Sequence, residues 1–337
     1  DIYDVHRYWG WYYNSFLTYL NMRDKAMWQN PGKVQPITFT ECVGNYTGID
    51  GRFNLCSRTK QPGSQKCWTG HLPDAEQAEA AMAYQAFVLK NATELFRRLR
   101  SQNDCLAGTM PFTIVFHHWD GVSSFAEMKP KPVARQYQLS YQPILLSWEN
   151  WQSQVYAGKK LSVVAHVVND DDYGNGLSNA RLHWWIEHEG KKVISGENEF
   201  PFVPYYGTDK LPLTINIPQN LPTGDYLLKG EIYSKDKKVS YNESELFIAG
   251  KDWNNPADTE TTVFVYDTTP EQQTLNCLQR KGYSVKTASS LTKLPMHSTF
   301  VIGKDSWDDN LDRQTEELKA YVNKGGRIIC LEQNQTT

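Results

Sequence analysis

The stretch PITFTECVG (36–44) decides how this chain is read. It is a short run rich in β-branched and aromatic residues, the composition of a strand. The run ends in one carboxylate, Glu41, and then breaks into glycine and asparagine. Two meanings fit. A strand can end in a solvated surface charge, or it can deliver a catalytic group to its C-terminal tip, where parallel α/β layers keep such groups.

Working outward, DVHRYWGWYY (4–13) reads as a preceding strand, and NSFLTYLNMRDKAMWQN (14–30) as a helix-like connection stopped by Pro31 and Gly32. A polar, glycine-containing loop (44–73) follows Glu41. A helix is then expected from Asp74, its N-cap, to about Arg100, with Ala81, Tyr84, Phe87, Val88, Leu95 and Leu99 near helical spacing. LAGTMPFTIVFHH (106–118) gives a third strand. This alternation implies parallel strands in an α/β layer. Three units are too few to close a barrel of eight.

From residue 138 to about 250 the pattern changes to short β-rich runs separated by Gly, Asn, Pro and Asp. They are KKLSVVAHVVND, ARLHWWIEH, KKVISGE, DKLPLTINIP, GDYLLKGEIYS and SYNESELFIA. Six or seven such strands predict an immunoglobulin-like β-sandwich. KDWNNPADTE (251–260) reads as a linker. From Thr261 the α/β pattern returns, and it resembles a flavodoxin-like or amidotransferase-like open sheet. The expected fold class is therefore α/β plus β. Its parts are a partial (β/α)8 barrel (1–137), an immunoglobulin-like sandwich (138–250) and a flavodoxin-like α/β domain (258–337).

The totals agree with two or three domains in 337 residues. A net charge of −3 offers no basic footprint for nucleic acid. The longest apolar runs fall far short of the ~20 residues a membrane span needs. Eleven Trp and nineteen Tyr suit stacking on sugar rings, and suit ordinary sandwiches as well. Six cysteines form no CxxC pair and no zinc spacing, so no metal site is expected, although Cys56 and Cys67 flank a loop that a disulfide would close. The chain opens on a strand-like segment without a leader, which reads as a start inside a domain. The sequence leaves the location open, favouring a periplasmic or secreted one over the cytoplasm.

The three strand ends carry His6-Arg7-Tyr8, Glu41, and Phe112 onward to His117-His118-Trp119. One carboxylate among donors and aromatic walls suits glycoside cleavage, which needs an anion beneath the anomeric carbon and ring faces to hold the sugar. HRYWGWYY, then PITFTECVG, then LAGTMPFTI resembles the last three barrel strands of glycoside hydrolase family 2, the β-galactosidases, β-glucuronidases and β-mannosidases. The match includes Arg7, Tyr8, Gly10, Trp11, Tyr12, Thr40, Glu41 and Gly44. His6 stands where the β-glucuronidases have Asn, and Cys42 where they have Tyr.

That resemblance implies a retaining exo-β-glycosidase with Glu41 as the nucleophile and Tyr8 as its hydrogen-bonding partner. His6, Arg7, Trp11, Asn45, Trp68, His71, Phe112 and Trp119 are the candidate sugar-site residues. No cofactor is implied. The acid/base glutamate of the family would fall before Asp1, so this chain by itself is expected to be nearly inactive. The expected partners are a glycoside or oligosaccharide, plus a homo-oligomer contact or an upstream N-terminal part. The rival reading is a non-catalytic carbohydrate-binding or assembly module built on the sandwich, where adjacent Trp184 and Trp185 must point to opposite faces. Two other motifs have plainer readings. NDDDYGNG (169–176) is a polar turn rather than a calcium loop, and YDTTPEQQT (266–274) lacks a phosphate-binding glycine pattern.

Overall fold

The computed structural model describes residues 2–7, 36–42, 78–99, 106–111, 117–118, 122–254, 262–290 and 294–333. The expected helix at 14–30, the 44–73 loop and the Asp74 cap lie outside the described residues. Most of the described chain is β, with a few helices, and it divides into two units, Asp1–Ile248 and Ala249–Thr337.

In the first unit β1 (Tyr3–Arg7), β2 (Ile37–Cys42) and β3 (Leu106–Pro111) pair in parallel, in chain order. The helix α1 (Ala78–Leu99) connects β2 to β3 in sequence. Its buried positions Val88, Leu89, Ala92, Leu95 and Phe96 follow the spacing of one helical face. They share a core with Val5, Phe39 and Cys42, and the Phe39 and Phe96 ring centroids are 4.5 Å apart.

Of the expected third strand, Leu106–Pro111 is β3, and the stretch 112–116 lies outside the described residues. β4 (His117–His118) is antiparallel to β5 (Lys129–Pro130).

After the short helix α2 (Val133–Ser140), eight strands build a two-sheet sandwich rather than six or seven. They are β6 (Ile144–Glu149), β7 (Gln154–Tyr156), β8 (Lys160–Asn169), β9 (Ala180–His188), β10 (Lys191–Phe200), β11 (Thr208–Asn216), β12 (Gly224–Ser234) and β13 (Lys237–Ala249). One sheet runs β10-β9-β12-β13-β7 and the other β11-β8-β6. Alternate residues fill the space between them, for example Tyr226, Leu228 and Ile232 from β12 against Leu161, Val163 and Ala165 from β8. The Tyr226 hydroxyl donates to the Pro222 carbonyl at 2.8 Å, a corner that ties a strand start to the loop before it.

The helix α1 is joined to this sandwich by buried charge. Glu94, 4% exposed at its side chain, pairs with Lys90 and accepts from Ser147 Oγ at 2.6 Å and Asn242 Nδ2 at 2.9 Å. Burial alone would raise the Glu94 pKa, but Lys90, Asn242 and Ser147 outweigh it and the carboxyl lies below its ordinary range. Arg97 adds bonds to the Ser140 carbonyl at 2.6 Å and Asp170 Oδ2 at 2.8 Å.

The second unit holds β14 (Thr262–Tyr266), α3 (Gln273–Arg280), β15 (Ser284–Thr287), β16 (Thr299–Ile302), α4 (Asp309–Arg313), α5 (Thr315–Asn323) and β17 (Arg327–Cys330). Its parallel sheet has the order β15-β14-β16-β17. Gln314 separates α4 from α5. Cys330 sits exposed on the sheet's outer strand. No helix among the described residues is long and apolar enough to cross a membrane.

Candidate functional site

Glu41 reaches the open face of the parallel sheet through a break in alternation. Phe39 and Cys42 are three residues apart, yet both are buried on the α1 side. The pairing explains it: Asp4 lies opposite Thr38 and His6 opposite Glu41, so two steps along β1 match three along β2. That extra residue is a β-bulge, and bulges re-aim side chains at strand ends. It places Glu41, 30% exposed, beside His6 on the face away from the core.

His6 Nδ1 lies 2.8 Å from Glu41 Oε2. Its other ring nitrogen, Nε2, lies 3.2 Å from Asp4 Oδ2. The imidazole thus stands between two carboxylates. As an imidazolium it donates to both at once; as the neutral ring it donates to one.

Asp4 is fixed in turn by β2. Its Oδ1 accepts from Thr38 Oγ1 and from the Thr40 amide, each at 3.1 Å, and its Oδ2 accepts from Thr40 Oγ1. The Thr40 hydroxyl foremost, then the Thr40 amide, Thr38 and His6, hold the Asp4 carboxyl down at about 2, against the opposing effect of burial. Asp4 is therefore an anion at any physiological pH. Cys42, on the other face, has its thiol pushed up to about 12 by burial, so it is a neutral thiol at physiological pH.

Of the residues singled out in the sequence, Glu41 and His6 are brought together, and β1 carries Arg7 one residue further along. The Arg7 side chain, Tyr8, Trp11, Asn45, Trp68, His71, Phe112 and Trp119 lie outside the described residues. Asp4, Thr38 and Thr40 were missed, although Asp4 is two residues before His6 and so shares its face of a strand. Among the described residues no group of His, Cys, Asp and Glu is placed to hold a metal ion.

A second polar grouping lies where α1 meets the sandwich. Glu149 belongs to β6 and bonds His166 Nε2 and Trp151 Nε1, each at 2.6 Å. It lines a cleft of about 450 Å³ with Arg98, His166 and Lys210. Both oxygens of Glu149 are engaged in these bonds, a structural use of a carboxylate.

The remaining motifs have structural roles. Asp171 in NDDDYGNG accepts from the Tyr173 amide and the Asn175 amide, each at 3.0 Å, closing a turn. Asp267 accepts from the amides of Thr274 at 3.0 Å and Leu275 at 3.1 Å, so a carboxylate already occupies the N-terminus of α3 where a phosphate would sit. Trp184 packs inward on the sandwich core. Trp185 faces the other way, but it is only 8% exposed, with Lys192 Nζ 4.0 Å from its ring centre and its Nε1 on Glu187. Neither offers a bare ring to a sugar.

No protein-family model matches the sequence, and no curated protein matches it. Among solved structures, the exo-chitosanase CsxA of Amycolatopsis orientalis is similar at 16% identity, over 51% of this chain and 19% of that one, with a TM-score of 0.36. Spo0M, a sporulation control protein from Bacillus subtilis, is similar at 10% identity over 33% of this chain and 51% of that one, with a TM-score of 0.27. The CARDB domain of the PF1109 protein from Pyrococcus furiosus is similar at 13% identity over 33% of this chain and 98% of that one, with a TM-score of 0.24. This chain thus spans about a fifth of the length of the exo-chitosanase that it resembles.

Proposed function

We propose that this chain is part of a retaining exo-β-glycosidase and that Glu41 is its nucleophile. The observation that supports it is the bulged tip of β2, which lifts a partly exposed carboxylate out of the core and sets it 2.8 Å from a ring nitrogen of His6. A nucleophilic carboxylate must hold one orientation, and a nitrogen donor at its flank serves that need. On this reading β1, β2 and β3 are trailing strands of a (β/α)8 barrel, followed by an immunoglobulin-like sandwich and a flavodoxin-like domain, with boundaries near 137 and 250. Tyr8 as a hydrogen-bonding partner of Glu41, and the sugar-site roles of His6, Arg7, Trp11, Asn45, Trp68, His71, Phe112 and Trp119, belong to the same proposal.

In the proposed reaction a Glu41 oxygen forms a bond to the anomeric carbon as the bond to the leaving group breaks, and water later releases the sugar. On this reading the proton donor for a poor leaving group lies upstream of Asp1. Fluoride needs no such donor. Incubation with 2-deoxy-2-fluoro-β-glycosyl fluorides of several sugar configurations, followed by intact-mass and peptide analysis, therefore tests the nucleophile directly. One sugar on Glu41, lost in Glu41→Gln, is the expected result. No adduct with any sugar refutes the reading.

A further inference from the structure

We infer that Asp4 is a positioning residue for Glu41 and acts through His6, so that the nucleophile is aimed by an Asp4–His6–Glu41 line running across two adjacent strands. The inference rests on the reading of Glu41 as the nucleophile and adds two roles to it.

The geometry runs in one direction. β2 fixes Asp4 through Thr38 Oγ1, the Thr40 amide and Thr40 Oγ1. Asp4 Oδ2 meets His6 Nε2 at 3.2 Å, and His6 Nδ1 meets Glu41 Oε2 at 2.8 Å. Asp4 holds the far nitrogen, with Thr40 Oγ1 3.4 Å from the same atom, and so limits rotation of the ring about its Cβ–Cγ bond. As the imidazolium, with Asp4 accepting from the far nitrogen, the ring donates from the near nitrogen across to the carboxylate opposite it in the ladder. The bulge is part of the device: in an unbulged pair, the same two steps from Thr38 would bring Thr40 opposite His6 instead of Glu41.

The consequence is specific. Attack by Glu41 joins one of its oxygens to C1, and the bonding pair leaves with the departing group; with fluoride as that group, no proton moves. Misaiming the carboxylate slows this step and leaves sugar binding alone. A displacement of about 1 Å at a reacting group costs on the order of 10²-fold.

The test is the kinetics of inactivation by a 2-deoxy-2-fluoro-β-glycosyl fluoride that labels the wild-type chain, measured over a range of concentrations. Asp4→Asn should lower the limiting inactivation rate constant about 10- to 100-fold, with the concentration for half-maximal rate unchanged. His6→Asn keeps an N–H donor but gives up the bridge, so adding Asp4→Asn to His6→Asn should slow the reaction no further. A residue that only braces the strand pair would slow both backgrounds alike.

Wild-type rates in Asp4→Asn, or equal losses in both backgrounds, overturn the inference and leave the nucleophile assignment standing. A wild-type chain that no sugar labels overturns both. If Asp4→Asn does not fold, His6→Phe, which fills the space without ring nitrogens, must slow the same rate constant, and full-rate labelling of that variant overturns the inference.

Discussion

Replacing Glu94 by glutamine should cost the chain about 3–5 kcal/mol at neutral pH, because it removes one partner of a buried ion pair. The Lys90 and Glu94 side chains are 14% and 4% exposed, so water cannot replace what is lost. Lys90 keeps its 2.8 Å bond to Asn242 Oδ1 but loses its counter-ion. The new amide also turns a donor towards Ser147 Oγ or Asn242 Nδ2, both of which now donate to Glu94. A buried polar group left unmatched costs about 1–3 kcal/mol in itself.

Urea unfolding of the full chain followed by tryptophan fluorescence reads the total, and hydrogen exchange in α1 reads where it falls. Removing both charges with Lys90→Met and Glu94→Leu together should recover most of the loss. The pH dependence has a fixed sign. The folded Glu94 carboxyl lies below the ordinary 4.5, so its contribution is complete above 4.5 and fades as pH falls from there through the folded value. Wild type and Glu94→Gln should therefore converge in acid. A loss under about 1 kcal/mol at neutral pH, or a gap that widens in acid, refutes the claim that charge joins α1 to the sandwich.

Three further outcomes follow from local geometry. Gly230→Ala should destabilise the sandwich by about 1–3 kcal/mol, seen as a lower urea midpoint, because a Cβ there meets Trp148 Cζ2 at 2.7 Å and Leu146 Cδ2 at 2.8 Å. Asp267→Ala should cost the second unit about 1–2 kcal/mol and speed amide exchange in the first turn of α3, since two amides lose their acceptor. Iodoacetamide at pH 8 should alkylate exposed Cys277 and Cys330 in the native protein and spare Cys42 until the chain is unfolded; native-state labelling of Cys42 contradicts its burial.

The sandwich was legible where one strand face met solvent, and illegible where neither did. In GDYLLKGEIYS the alternation of Tyr226, Leu228 and Ile232 with Leu227, Lys229 and Glu231 is visible in the sequence and recurs in the burial. ILLSWE was passed over because Ile144 to Trp148 are all buried, so no period-2 signal exists. Ile144, Leu146 and Trp148 face the sandwich core, while Ser147 faces Glu94 of α1. A strand covered on both faces carries no alternation, and β6 is covered by α1 on one side and by the sandwich core on the other.

Glu41 and His6 were legible in the sequence, while Asp4, Thr38 and Thr40 were not, for a related reason. Strict alternation along β2 would put Glu41 on the same face as Phe39, which is fully buried, and Cys42 on the open face with Thr40. That arrangement buries a charge and exposes a thiol, so the residue types themselves argue for an inserted residue between Phe39 and Cys42. Once the bulge is granted, Thr38, Thr40 and Glu41 share the open face, and the parallel register brings Asp4 and His6 to them. Val5, between those two, is buried against α1, as alternation along the unbulged β1 requires. The strand therefore breaks after Glu41 for a reason within the strand pair: the bulge that frees the carboxylate from the core is also what sets it opposite the one histidine of β1.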